Sequence, residues 1–335
     1  MSLNMYFKRF LFIVLCLGFT MSNAQNTMKN TLKVQPPFLK TGDTVAIVAP
    51  SGILKHQTEE INRAKQLLSN WGLNVVIGEN LWTQNGHFAG TDEERCADFQ
   101  KALDDPNIKA IWCARGGYGS VRILDMLDYS KFLDQPKWIV GYSDITAIHN
   151  QVHLKGVQSI HAMMCVNLTD TMTMDNPTVL SLGAALFGKE LSYSLKGSSY
   201  NKVGKCSGEL VGGNLTMLHS MLGSDTSLTV DGEILFIEEI GEYAYHIDRM
   251  LQSLKRAGYF ENCKGLLVGD ISKVRKNTTE FGRTIEEIIL DVVAEYNFPV
   301  AFNMPAGHEK INEALFLGRQ IELVVSKSGS TLSYK

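Results

Sequence analysis

The sequence predicts an α/β chain of two domains, a mostly parallel sheet followed by a smaller α+β or barrel-like domain, and three observations carry that reading. Short β-branched apolar runs alternate with helical-period segments through the first half, which is the pattern of strands joined by crossover helices and covered on both faces. The alternation lapses over residues 166–205, which are rich in Thr, Ser, Asn and Gly. Beyond that stretch strands outnumber helices.

The elements follow in order. Residues 44–49 (TVAIVA) read as a strand that stops at the turn Pro50-Ser51-Gly52. Ile61, Ala64, Leu67, Leu68 and Trp71 then recur at helical spacing, with Gly72 placed as a C-cap. Residues 73–77 form the next strand. Thr91 and Glu94 make a capping box for a helix running to Leu103. Residues 109–114 and 138–140 read as strands, with a helix over 120–127 between them. The stretch 171–205 is expected to connect two domains, 25–170 and 206–335, and to hold an edge hairpin near 191–195. Strands at 207–211, 233–238, 265–269, 299–303 and 314–325, with helices near 214–222, 246–257 and 284–296, complete the second domain.

Composition excludes some classes of partner. Hydrophobic residues are 44% of the 335 and charged residues 20%, enough for a large core, and the formal net charge of −3 offers no footprint for a nucleic-acid backbone. Residues 1–24 read as an export signal. Lys8 and Arg9 precede an apolar run from Phe10 to Phe19, and Ser22-Asn23-Ala24 supplies small residues for cleavage before Gln25. The run is too short for a comfortable membrane span. Leu15 before Cys16 is bulky where lipoprotein processing needs a small residue, so the expectation is a soluble exported protein in the periplasm, with no stable membrane insertion after cleavage. The six cysteines, Cys16, Cys96, Cys113, Cys165, Cys206 and Cys263, contain no CxxC pair and read as buried thiols.

Four segments can carry chemistry. Gly141-Tyr142-Ser143-Asp144 lies between a buried strand and a helix start, which is the setting of a nucleophile elbow, although Ile145 occupies the second glycine position of G-x-S-x-G. The plainer reading is that Ser143 or Asp144 caps the helix. The loop Arg115-Gly116-Gly117-Tyr118-Gly119 lets backbone amides approach an anion, or is only a tight turn; no Lys-Ser/Thr follows it as in a phosphate loop. Glu238 and Glu239 end an apolar strand. Strand alternation lets only one of them face a given cleft, and the plain expectation is an exposed strand end. His308, one of eight histidines, follows Gly307 on a loop. There is no H-E-x-x-H, and His161 with Cys165 is too sparse for a metal.

Together these segments resemble the LD-carboxypeptidase family of serine peptidases, which includes the microcin-C immunity peptidases. The resemblance rests on APSG (49–52), FAGTDEER (88–95), ARGGYGSVRIL (114–124), GYSDITA (141–147), GELVGGNLTML (208–218), LFIEEIGEYAYHIDRML (235–251) and PAGHEK (305–310), in that order. It implies a Rossmann-like first domain bearing the nucleophile Ser143 and a second bearing Glu238 and His308. The amides of Asp144 and Gly117 would form the oxyanion hole, in a cleft between domains and often in a homodimer. It implies no metal or organic cofactor, and a small murein peptide as substrate, cleaved at an L–D bond to release a terminal D-amino acid. Two alternatives stay open: a peptidase for peptidyl-adenylate antibiotics, and a binding protein that captures murein peptides without cleaving them.

Overall fold

The computed structural model describes residues 33–335; the expected signal at 1–24 lies outside them. The strands are β1 (Thr44–Val48), β2 (Asn74–Ile77), β3 (Ile108–Cys113), β4 (Trp138–Gly141), β5 (Ser159–His161), β6 (Ser192–Lys196), β7 (Gly204–Asn214), β8 (Ile234–Ile240), β9 (Gly265–Ser272), β10 (Val300–Ala301), β11 (Leu315–Leu317), β12 (Gln320–Val325) and β13 (Gly329–Tyr334). The helices are α1 (Thr58–Asn70), α2 (Asp92–Asp104), α3 (Ser130–Asp134), α4 (Thr146–Leu154), α5 (Pro177–Leu186), α6 (Leu215–Ser220), α7 (Ala244–Arg256) and α8 (Ile285–Val292).

Two sheets result. The first runs β11-β5-β4-β3-β1-β2, parallel except for β11, which pairs antiparallel with β5. The second runs β10-β9-β8-β7-β12-β13-β6. Its β7 to β10 half is parallel and its β12, β13 and β6 half antiparallel, so it is a mixed sheet in linear order rather than a closed barrel.

Strand alternation sorts the side chains into three layers of core. Ala46 and Val48 of β1 face Phe99 and Leu103 of α2 and Ile148 of α4. Val45 and Ile47 face the opposite way, into a cluster that also holds Leu67 of α1, Leu182 of α5 and, from the second sheet, Leu210, Phe236, Leu267 and Leu323. The far face of the second sheet, with Leu235, Ile237 and Val268, is covered by Leu251 of α7 and Ile289 of α8. The middle cluster is therefore shared by both sheets. Phe236, fully buried in it, contributes on the order of 2–3 kcal/mol.

Several expectations change. The helix expected over 120–127 is two 3-10 turns, Ser120–Arg122 and Leu124–Met126, the first anchored to Asp144 through the amide and hydroxyl of Ser120. The connection 171–205 is not featureless. It holds α5, capped by Asn176 with Pro177 at its first position, and β6, which pairs with distant β13 instead of forming a local hairpin. The strand expected at 314–325 is two strands in different sheets, broken at Gly318, whose φ is +78°.

Candidate active site

Ser143 stands just past β4, the chain turning there into a short 3-10 segment ahead of α4. Its φ is +61°, a conformation that costs a residue with a Cβ about 1–2 kcal/mol and needs support from its surroundings. The support is visible. Asp144, 1% exposed, accepts from Ser51 Oγ at 2.5 Å and from the Ser120 amide at 2.8 Å, while its carbonyl accepts from Ser120 Oγ at 2.6 Å. One carboxylate thus ties together the loops leaving β1, β3 and β4. His149 Nε2 lies 2.9 Å from the Gly141 carbonyl and, as donor, fixes the residue before the turn. A Cβ on Gly141 would sit 2.9 Å from the Ile145 side chain, so the first elbow glycine is what lets Ile145 occupy the position of the second.

The same loops explain other quoted motifs. Arg95, from FAGTDEER, is fully buried and donates to the carbonyls of Pro50 and Gly119, clamping the β1 and β3 loops to each other; Asp92 pairs with its other end. Gly52 donates to the Gly116 carbonyl at 3.0 Å, and a Cβ on Gly52 would meet that oxygen at 2.8 Å. Gly116 in turn lies against Ser143: a Cβ there would be 3.3 Å from the Ser143 Cβ and 3.5 Å from the Asp144 nitrogen. Gly117 is the next residue. Among the described residues neither its amide nor that of Asp144 meets a backbone acceptor, so both N–H groups are free for an anion.

The second sheet supplies the other half. Glu238 is fully buried at the end of β8, opposite an irregularity in its pairing with β9, where Ile237 faces Val268 but Glu239 faces Ile271. Gly269 and Asp270 of β9 together oppose Glu238, one residue in excess. The Asp270 amide donates to the Ala306 carbonyl and its Oδ2 accepts from the Glu309 amide at 3.2 Å, so the bulge grips the loop on both sides of His308. Gly307, at φ +142°, is required because a Cβ would be 2.9 Å from Asp270 and 3.2 Å from Glu238.

These elements put three groups in one line. His308 Nε2 is 3.1 Å from Ser143 Oγ, and His308 Nδ1 is 2.7 Å from Glu238 Oε2. Burial alone disfavours a charged imidazole, but the hydrogen bond and charge of Glu238, with Glu239 and Asp270 adding to it, outweigh burial and hold His308 above its ordinary value. The Tyr142 ring packs 4.8 Å from the imidazole, and its hydroxyl, pushed up to about 12 by burial, accepts from Asn167. Such an array can deprotonate a hydroxyl and stabilise the imidazolium that forms.

Neither acid is an exposed strand end, as the plain expectation had it. Glu239 is 2% exposed on the opposite face, where it accepts from the amides of Thr216 and Ile240 and from Asn214 Nδ2. Sequence reasoning gave Asp144 an oxyanion amide or a helix-capping side chain; the carboxylate caps no helix and instead binds the loops of Ser51 and Ser120. The signal was available, since an acid beside an elbow needs partners and both neighbouring motifs contain a serine, Ser51 and Ser120. Among the described residues no group of His, Cys, Asp and Glu is arranged to hold a metal, and no helix is long and apolar enough to cross a membrane.

Known proteins are similar to this chain in sequence and in fold. Residues 45–162 match the LD-carboxypeptidase N-terminal domain and residues 207–323 the LD-carboxypeptidase C-terminal domain. A probable murein peptide carboxypeptidase of Bacillus subtilis is 34% identical over 284 residues, 83% of this chain and 88% of that one. The crystal structure of a muramoyltetrapeptide carboxypeptidase from Oxalobacter formigenes superposes with a TM-score of 0.78 at 28% identity, covering 87% of this chain and 98% of that one. A microcin C7 self-immunity protein has the same fold, with a TM-score of 0.81 at 21% identity over 90% of this chain and 99% of its own. With both family domains matched in order, and full-length relatives above 30% identity, the chain belongs to the LD-carboxypeptidase family of serine peptidases.

Proposed function

We propose that this enzyme hydrolyses the bond between an L-centre and a terminal D-amino acid in a murein tetrapeptide, releasing D-alanine. The observation that carries the reading is the continuous hydrogen-bonded line Ser143–His308–Glu238 in a member of this family. His308 takes the Ser143 proton as the hydroxyl adds to the scissile carbonyl, and the amides of Asp144 and Gly117 receive the oxyanion. His308 then gives the proton to the departing nitrogen. Water, activated by the same imidazole, hydrolyses the acyl-enzyme and regenerates Ser143. Glu238 keeps the imidazole oriented and balances its charge. Mass spectrometry of a tetrapeptide incubated with the protein tests this. The expected product is a tripeptide lighter by one alanine residue, and an unchanged tetrapeptide would overturn the reading and leave cleavage of a peptidyl-adenylate or capture without cleavage.

Export belongs to the same proposal. Lys8, Arg9, the apolar run from Phe10 and Ser22-Asn23-Ala24 support cleavage before Gln25 and work in the periplasm, where murein lies. Sequencing the N-terminus of the natively produced protein is expected to begin at Gln25, and an intact leader on cytoplasmic protein would overturn it.

A further inference from the structure

We infer that the cavity on the imidazole side of Ser143 is a carboxylate subsite, with Lys310 as its cation, that holds the free C-terminal carboxylate of the residue to be released. The inference rests on the peptidase reading above and deepens it. His308 must pass its proton to the leaving nitrogen, so the leaving residue lies on the imidazole side and the oxyanion lies toward Asp144 and Gly117. On that imidazole side a cavity of ≈ 470 Å³ opens, lined among others by Tyr142, Asn167, Thr169, Glu309, Lys310 and Asn312. Neither Ser143 nor His308 lines it, but Tyr142, whose ring packs 4.8 Å from the His308 imidazole, and Glu309, the residue after His308, both do, which puts the cavity beside the imidazole.

Its lining fits one anionic group. Lys310 is the sole Lys or Arg in it, and no ion pair or hydrogen bond engages the Lys310 ammonium among the described residues. Asn312 is 5% exposed, and its Nδ2 is a buried donor with no acceptor, while its Oδ1 is already held by the Gly307 amide. A buried donor left unmatched is costly, and an acceptor brought by a ligand relieves that cost. The lining also carries one acid, Glu309, so net charge does not attract an anion here; selection falls on Lys310 and the neutral donors. An enzyme that removes one terminal residue has to sense a terminal carboxylate, and the structure offers this cation at the required side of the bond.

The test compares a tetrapeptide ending in a free acid with the same peptide ending in a carboxamide, each with lysine or diaminopimelate at the third position. Wild-type enzyme is expected to favour the acid by about 30-fold in kcat/KM, the size of one charge-assisted contact. Lys310→Met should shrink that preference to about 3-fold or less, Lys310→Arg should restore part of it, and Glu309→Gln should preserve or increase it. Lys310 is exposed, so these variants should fold as wild type, checked by thermal melts. An undiminished preference in Lys310→Met overturns the subsite. So does a Lys310 effect that follows the third-residue carboxylate instead of the terminal one. Calorimetry on Ser143→Ala protein separates this from the peptidase reading. Lys310-dependent preference for the acid without turnover by wild type would remove the hydrolysis and keep the subsite, whereas turnover without preference would do the reverse.

Discussion

The two halves of the site are built on different principles. On the first sheet the cost is conformational: Ser143 sits at positive φ, and the surrounding polar groups, Ser51, Ser120, Asp144 and His149, are spent on holding the turn. On the second sheet the cost is electrostatic. Glu238 is wholly buried with Oε1 unmatched among the described residues, Glu239 is buried on the other face, and Asp270 is pushed up to about 6 by its burial. Shape is fixed on one side and charge on the other, so mutations on the two sides should fail in different ways.

The largest expected effects lie where the halves meet. Ser143→Ala and His308→Ala should each lower kcat by about 10⁴–10⁶, and the double variant should lose little more, because the groups act as a unit. Additive losses in single-turnover assays would show that they do not.

Glu238→Gln should cost less, about 10²–10⁴ in kcat, and should also move the pH profile. The imidazole must be neutral to act as base, so activity falls as pH drops through its pKa. Glu238 holds that pKa above the ordinary histidine value, so the wild-type acidic limb should lie on the high side, and removing the carboxylate should move it to lower pH. A limb that stays in place would exclude Glu238 as the group that sets it.

On the first sheet the signature is stability. Asp144→Ala leaves Ser51 Oγ and the Ser120 amide without their acceptor and should destabilise by about 2–4 kcal/mol in denaturant titrations, with kcat falling as the turn relaxes. Glu239→Gln is the smallest change. It keeps a carbonyl oxygen for Thr216 but turns an NH2 toward the Ile240 amide and Asn214 Nδ2, so it should cost about 1–3 kcal/mol of stability, with turnover within a few-fold of wild type. A kcat loss matching that of Glu238→Gln would mean the division between the two acids is drawn in the wrong place.

What could be read from the chain divides along similar lines. Local signals were legible: the Thr91 capping box, the β4 turn at Gly141, the loop histidine behind Gly307. Each is written within a few residues. The triad's convergence was legible only through resemblance, since nothing local places residue 143 near 308. Pairing was not legible. The alternating β13, half-buried one strand in from the β6 edge, has weak apolar content, and β6 and β13 define each other across more than a hundred residues. Helix α5 was missed despite its Asn176-Pro177 start because the polar run before it dominated the window.

The passage of the chain from the His308 loop into β11 and then β12 has a consequence for biosynthesis. Leu315–Leu317 closes the exposed edge of β5, and Gln320–Val325 then joins the antiparallel half of the other sheet to β7. A nascent chain growing from its N-terminus therefore carries an open parallel-sheet edge, with the β11 to β13 part of the shared core missing, until almost the last segment is synthesised. The hydroxyl of Ser143 exists early, but its base and the strand that seals its sheet arrive together near the end. A fragment that stops short of residue 308 therefore holds the nucleophile without its base.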